Sequence, residues 1–334
     1  MEDIRVAVVG AGRMGLTHAE NLSHRVRGVK LVAATTSNDD RAAAIRQTCG
    51  DLSIYTNLEA LLEAEQLDAM VISSSTSAHT ENIVECAKAG MHIFSEKPLA
   101  LTLSECDRAI VAAENAKIKL MMGHVRQFDS GHVEAKRMIG EGAIGKPLVI
   151  RSISGDMNPP PPSFADPAVS GGLLLDALYH DFYLSRWLMD DEIIRVYTEG
   201  DALVDEGVRS VGDVDNAVVS LRFAGGGLAS SFVSRTTRYG HDLRMEVVGD
   251  QGAVQIGYLR QTPVRLLDHK GVHHDTPQTT PDRFGDAFVT ELQAFVDCII
   301  QDTDPPITGT DSRNTVAVGI AATKSMQVNT PVDV

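Results

Sequence analysis

The feature that most constrains this chain is a short apolar run, Ile4-Arg5-Val6-Ala7-Val8-Val9, that passes without a break into Gly10-Ala11-Gly12-Arg13-Met14-Gly15 and then into a helix-like segment. A run that does not alternate apolar with polar residues is what a parallel strand covered on both faces requires. The same type recurs in KLVAATT (30–36), DAMVISSS (68–75), HIFSEKP (92–98) and KLMMGHV (119–125). Between these runs lie DDRAAAIRQTCG, ENIVECAKAG and LSECDRAIVAAENA, helix-like segments of which the first two end on glycine, the residue favoured just past a helix C-terminus. Strands alternating with helices at this spacing predict a doubly wound parallel sheet over residues 1–123.

In that strand–turn–helix context the GxGxxG has a mechanical meaning. Gly10 permits the tight turn, Gly12 lets a pyrophosphate approach the backbone, and Gly15 lets helix and strand pack closely, while Arg13 and Met14 open the helix. Free N–H groups at the helix start favour phosphate. The segment therefore predicts a dinucleotide site. An acid that would hold the ribose hydroxyls should follow about 20 residues on. Thr36 and Ser37 stand there instead, followed by Asn38, and Asp39-Asp40 read as the start of the next helix. Without that acid nothing repels a 2′-phosphate, and Arg13 or Arg41 would have to supply its positive partner. NAD and NADP both remain candidates, with a lean to NAD. Ser73–Ser77, with Ser74, Ser75 and Thr76 among them, is richer in hydroxyls than a core strand needs and is expected to line the nicotinamide ribose.

After about residue 124 the texture changes. A helix near 129–141 leads into a strand, a stiff NPPPP stretch (158–162) follows, and GGLLLDALYHDFYLSRWL (171–188) reads as one buried helix. On that helix Asp176, His180, Tyr183 and Trp187 share a face, an acid and an imidazole one turn apart in apolar surroundings. Either they form a satisfied structural pair or they are used, because burying charge is costly otherwise. NAVVSLRF, LASSFVSR, LRMEVVGD and GAVQIGY are alternating strands with glycine punctuation, and FVTELQAFVDCII and RNTVAVGIAATKSM are closing helices. Residues 124–334 thus predict a second, α+β domain with an open, mainly antiparallel sheet, whose last helix can pack back on the first domain.

Composition narrows the partners. A net charge of −15 argues against nucleic acid and anionic membranes. The four cysteines (Cys49, Cys86, Cys106, Cys298) have no ligand or CxxC spacing, as expected of reduced thiols in a cytoplasmic protein. The start of the chain lacks the pattern of a secretory signal, and no stretch reaches the roughly 18 apolar residues of a membrane span. His273-His274-Asp275 has no third ligand at suitable spacing, so no metal site is expected.

Several segments in order, His79 in STSAHTENIVECAKAGMHIFSEKP, Glu96-Lys97-Pro98, GHVRQFD with GEGAIGKP, GGLLLDALYHD and RFGDAFVTELQAF, resemble the glucose–fructose oxidoreductase, inositol dehydrogenase and rhizopine catabolism protein (Gfo/Idh/MocA) family over nearly the whole chain. The resemblance implies a catalytic set of Lys97, Asp176 and His180. It places His79, Glu96, Lys97 and Arg126 at the cofactor, and Asp156, Asn158 and Tyr239 against a polyol ring. Asp156 stands where the inositol branch leads one to expect a histidine. The implied reaction passes hydride between a ring hydroxyl of a cyclic polyol or sugar and NAD(P), as in an inositol 2-dehydrogenase. His180 would be the base, Lys97 the electrostatic partner of the reacting oxygen, and Asp176 the orienting group. Two other readings use the same fold: a redox-neutral, NAD-dependent glycoside hydrolase, and a non-catalytic dinucleotide sensor. Similar proteins are oligomers, so a homo-oligomer, dimer or tetramer, is expected.

Overall fold

The computed structural model describes residues 3–257, 262 and 264–334, so Tyr258, which closes the predicted GAVQIGY strand, lies outside the described residues. The chain forms two compact units, one of residues 1–128 with 286–316, the other of residues 129–285 with 317–334.

The first unit follows the predicted alternation: β1 (Ile4–Val9), α1 (Arg13–His24), β2 (Val29–Thr35), α2 (Asp39–Cys49), β3 (Ser53–Tyr55), α3 (Leu58–Ala64), β4 (Ala69–Ile72), α4 (Thr76–Lys88), β5 (His92–Glu96), α5 (Leu103–Ala116) and β6 (Leu120–Gly123). The strands form a six-stranded parallel sheet in the order β3-β2-β1-β4-β5-β6. The chain reverses its winding between β1 and β4, and ligands bind outside the carboxyl ends of such a pair. Helix starts obey local chemistry. The Asn38 side chain accepts from the Arg41 amide with Asp39 and Asp40 in the first turn of α2, and Thr102 accepts from the Glu105 amide at α5. Gly50 and Gly90 take positive φ where α2 and α4 end.

The rest of the chain contains α6 (Ser130–Gly140), β7 (Pro147–Gly155), α7 (Pro162–Ala165), α8 (Pro167–Ser170), α9 (Gly172–Asp176), α10 (Tyr179–Met189), β8 (Ile193–Asp201), α11 (Glu206–Ser210), β9 (Asn216–Phe223), β10 (Leu228–Ser234), β11 (Asp242–Gly249), β12 (Ala253–Ile256), β13 (Arg265–Asp268), β14 (Gly271–His274), α12 (Thr280–Ile300), α13 (Gly309–Val328) and β15 (Val332–Asp333). A seven-stranded sheet runs β12-β11-β7-β10-β9-β8-β15. It is antiparallel except for β7 and β10, which run parallel, so their carboxyl ends emerge at one edge. His273-His274 lies on strand β14, which forms a wholly exposed hairpin with β13.

In the first unit Leu292, Phe295 and Val296 of α12 join Val6, Val8, Ala34, Val71, Phe94 and Met121 in one core. Each large side chain so buried contributes roughly 1.5–3 kcal/mol. In the second unit the strands alternate as a one-sided sheet must, with β9 exposing Val218, Ser220 and Arg222 and burying Ala217, Val219, Leu221 and Phe223.

The predicted single helix over 171–188 is two. α9 ends at Asp176 and α10 begins at Tyr179. Across the junction the Leu178 amide reaches back five residues to the Leu173 carbonyl, and the Asp181 amide bonds only three back, to Leu178. This wide turn, of the kind often found at functional sites, takes Asp176 out of strict helical register with His180. The shared-face expectation is corrected accordingly, although Asp176, His180 and Trp187 do remain the less buried positions in an otherwise buried segment.

Candidate functional site

In the first unit, β1 turns into α1 through Gly10 at φ +91°, with Gly12 as N-cap and no side-chain cap, so the first-turn N–H groups have no intrahelical partner. A Cβ on Gly10 would sit 2.6 Å from the Ser74 Cα, and one on Gly15 only 2.0 Å from the Gly10 carbonyl oxygen. A Cβ on Gly12, by contrast, would meet nothing within 4 Å. The two outer glycines are thus demanded by packing, while Gly12 keeps open the space a phosphate needs. The Ser73 hydroxyl donates to the Gly10 carbonyl at 2.8 Å, tying the end of β4 to the loop. Ser74 accepts from Asn82, and Ser75 stands at the N-cap position of α4 without a side-chain cap bond, its hydroxyl paired with that of Ser77.

Beside Gly12 lies a shallow pocket of about 150 Å³ lined by Ala11, Gly12, Arg13, Leu16, Arg41 and Ala44. Both arginines singled out from sequence therefore line one pocket, next to the half-buried Met14. At the end of β2 the Thr36 amide donates to Tyr55, the Thr36 hydroxyl accepts from the Asn38 amide, and Ser37 is exposed. Thr36, Ser37 and Asn38 at that corner carry no carboxylate.

Lys97 directly follows the carboxyl end of β5, and its amide donates to Glu96 Oε2 at 3.2 Å. Glu96 turns inward, where its Oε1 lies 2.8 Å from Nε2 of the fully buried His18. His79 is 1 % exposed, and its two ring nitrogens face the carbonyl oxygens of Pro98 (2.9 Å) and Ser74 (3.2 Å). Burial holds its pKa below the ordinary value. These contacts make His79 a strut between the β4 and β5 ends, and Glu96 a support for the lysine segment. Arg126 lies half-buried in the single 3₁₀ turn Val125–Phe128 after β6.

In the second unit the parallel pair β7 and β10 gathers the remaining candidates at its carboxyl edge. Asp156, just past β7, is bonded through its amide to Ser234 and lies 2.9 Å from His241 Nδ1. Asn158 accepts from Arg238 at 2.7 Å, and the Tyr239 hydroxyl donates to the buried Asp242 at 3.0 Å, leaving Tyr239 55 % exposed. Arg235, the residue after β10, is 1 % exposed and donates to Asp176 Oδ2 at 3.1 Å, with Asp213 Oδ2 at 3.9 Å. Asp213 in turn accepts from the Leu173 amide at the start of α9. Its pKa is raised, chiefly by burial. Asp176 is therefore fixed by a buried arginine, and His180 follows on the first turn of α10, half-exposed.

Arg235, Asp213, His241 and His18 were not singled out from sequence. Each is a lone polar residue far along the chain from its partners, with no motif of its own. The one readable signal is an acid, Glu291, on the apolar face of the FVTELQAFVDCII helix.

The uncapped helix start, the open side of Gly12 and the hydroxyl-rich end of β4 fit a dinucleotide. The comparisons agree. Residues 4–124 match an oxidoreductase family with an NAD-binding Rossmann fold, and residues 132–255 match the GFO/IDH/MocA C-terminal domain. The chain is 37 % identical over 325 residues to a myo-inositol 2-dehydrogenase of Thermotoga maritima, covering 97 % of this chain and 96 % of that one. It is 36 % identical to the NAD(+)-dependent scyllo-inositol 2-dehydrogenase of Bacillus subtilis, covering 98 % and 96 %. A crystal structure of scyllo-inositol dehydrogenase from Lactobacillus casei with bound NAD(H) and scyllo-inositol is similar at a TM-score of 0.93 and 27 % identity, over 99 % of each chain. With both domain profiles matched in order and relatives this similar along nearly its full length, the chain belongs to the GFO/IDH/MocA family of oxidoreductases with an NAD-binding Rossmann domain.

Proposed function

We propose that this enzyme oxidises a secondary ring hydroxyl of a cyclic polyol of the inositol class. NAD, held by Gly10, Gly12, Arg13, Met14 and Gly15 with Thr36, Ser37, Ser74, Ser75, Thr76 and Arg126 around it, supplies the hydride acceptor when bound. His180 takes the hydroxyl proton, a task suited to an imidazole at neutral pH. Lys97 holds the charge that develops on the oxygen, and Asp176 orients the hydroxyl. Asp156, Asn158 and Tyr239 present polar atoms to the other ring hydroxyls. The observation that carries this reading is the fixing of Asp176 by the buried Arg235, which holds an acid four residues before the half-exposed His180.

Thr36, Ser37 and Asn38 at the β2 corner carry no carboxylate, and Arg13 with Arg41 lines the adjoining pocket, which supports use of NADP as well as NAD. Polyol relatives, net negative charge and the absence of a membrane-length helix among the described residues support a small-molecule substrate rather than nucleic acid or membrane. Cysteines Cys49, Cys86, Cys106 and Cys298 are all free thiols, which supports a cytoplasmic setting. One face of the second sheet carries the cross-strand row Ile153, Phe232 and Val218, with Val218 54 % exposed, and this supports a homo-oligomer, dimer or tetramer.

A panel of inositols and pyranoses with NAD and NADP, followed by nicotinamide reduction, tests the reading. One ring polyol should reduce the cofactor, and His180→Ala should lower turnover by about 10²–10⁴-fold. Glycoside cleavage with no net NADH would show the redox-neutral hydrolase instead.

A further inference from the structure

Glu291 of α12 is fully buried, and neither of its carboxylate oxygens has a hydrogen-bond partner among the described residues. One of its oxygens lies within 4.8 Å of a His18 ring nitrogen and of a Glu96 carboxylate oxygen. These groups come from α12, α1 and β5, three elements of the first unit. His18 packs edge-on against Phe94 at 5.4 Å and Phe288 at 6.0 Å, so the surroundings are apolar. Two ionised carboxylates would place two negative charges side by side in this interior, an arrangement that burial strongly penalises.

We propose that Glu291 is a neutral, protonated acid that acts as a positioning residue for Lys97, keeping Glu96 the single carboxylate of the cluster. The inference rests on the catalytic reading of Lys97 given above. Glu96 then has one defined charge, shared between the His18 ring nitrogen at 2.8 Å and the Lys97 amide at 3.2 Å, and this clamps the backbone from which the Lys97 side chain departs. The titratable groups gathered at Glu291 are Glu96 and His18, with Lys97 acting on Glu96 in turn. Burial and the Glu96 charge raise the Glu291 pKa well above the ordinary carboxyl range, whereas for Glu96 the effect of burial is outweighed by the hydrogen bonds and charges of His18 and Lys97 together, which lower its pKa. Proton loss from Glu291 at alkaline pH places a second anion against Glu96 and loosens the clamp.

An imidazole and two carboxylates are also cation ligands. Two features of the geometry favour a proton. A metal-bound imidazole normally donates its other N–H to an acceptor, and His18 Nδ1 has none among the described residues. His18 Nε2 is moreover already engaged with Glu96.

The test uses the full-length enzyme with NAD and myo-inositol. Infrared difference spectra, wild type minus Glu291→Gln, should show the carbonyl stretch of a protonated carboxylic acid at neutral pH. Glu291→Gln, which mimics the neutral acid, should keep the wild-type kcat and lose the alkaline limb of its pH profile. Glu96→Leu, which removes the clamp, should lower kcat on the order of 10²-fold with little change in KM for NAD. Absence of the acid band, an unchanged alkaline limb in Glu291→Gln, or one equivalent of Zn²⁺ bound by wild type but not by Glu291→Gln would overturn the proposal. Full turnover in Lys97→Ala with the band intact would instead overturn the reading of Lys97.

Discussion

Replacing Arg235 with methionine removes a guanidinium that is 1 % exposed while keeping most of its volume. At an effective dielectric near 20, attraction to Asp176 at 3.1 Å is about 5 kcal/mol, and to Asp213 at 3.9 Å about 4 kcal/mol. Much of that gain offsets the desolvation of the three groups, so it is not net stability. The variant, however, leaves Asp213, at 5 % side-chain exposure, without this counter-ion and takes the Arg235 hydrogen bond from Asp176. Removing one partner of a buried pair typically costs 3–5 kcal/mol, and about that loss is expected here. Urea unfolding, read at unchanged slope, should show the midpoint fall. Arg235→Met combined with Asp213→Asn should recover part of the loss, because the more deeply buried stranded charge is gone. Turnover should fall too, since Asp176 loses the group that fixes it. A loss below about 1 kcal/mol, the value of an exposed pair, would refute the claim that this buried network holds the site.

Thr36→Asp, by restoring a carboxylate at the β2 corner, should suppress NADP use by about 10²-fold or more while sparing NAD, and Arg41→Ala should weaken NADP selectively; steady-state kinetics with both cofactors decides. Gly15→Ala drives a Cβ to 2.0 Å from the Gly10 carbonyl, so calorimetric titration should show loss of NAD binding and thermal melts a cost of roughly 1–3 kcal/mol. Burial raises the pKa of Asp129, but hydrogen bonds from His132 and Arg283 outweigh it and hold the carboxyl well below its usual range. That stability is present above the unfolded-state value of about 3.9 and is lost as pH falls below it, so Asp129→Asn should flatten the acid limb of the stability profile. Glu291 has the opposite sign: its raised pKa means stability is lost as pH rises above about 4.3 toward the native-state value. Across that window Glu291→Gln should gain on wild type by about 1.4 kcal/mol per pH unit in denaturation series.

The parallel half of the fold was readable because each buried strand is a compact apolar run and each helix begins or ends on capping residues. β3, three residues long at the sheet edge, and α3 carry too little pattern to announce themselves. The exposed β13–β14 hairpin has no buried face to impose alternation, so Leu266, Leu267 and Val272 show no strand period there. The break at Ala177-Leu178 was hidden because apolar residues surround it on both sides, and burial says nothing of hydrogen-bond register. At the site, the glycines and Glu96-Lys97-Pro98 are local motifs and therefore visible. Arg235 and Asp213 meet Asp176 only because β10 ends beside that segment, and His241 meets Asp156 only because β11 pairs antiparallel with β7, with Asp242 opposite Gly155. Contacts made by topology rather than spacing leave no signal in a single sequence. Glu291 was not singled out either, although an acid among Phe288, Leu292 and Phe295 breaks an apolar face and is a readable signal.

The central claim, direct hydride transfer from a ring carbon with His180 as base, is tested most directly by a single turnover of myo-inositol deuterated at C2, with mass analysis of the nicotinamide. Deuterium carried onto the reduced cofactor by wild type, with transfer slowed by about 10²–10⁴-fold in His180→Ala, is the predicted result. Deuterium released to water, or transfer at the wild-type rate in His180→Ala, would contradict it.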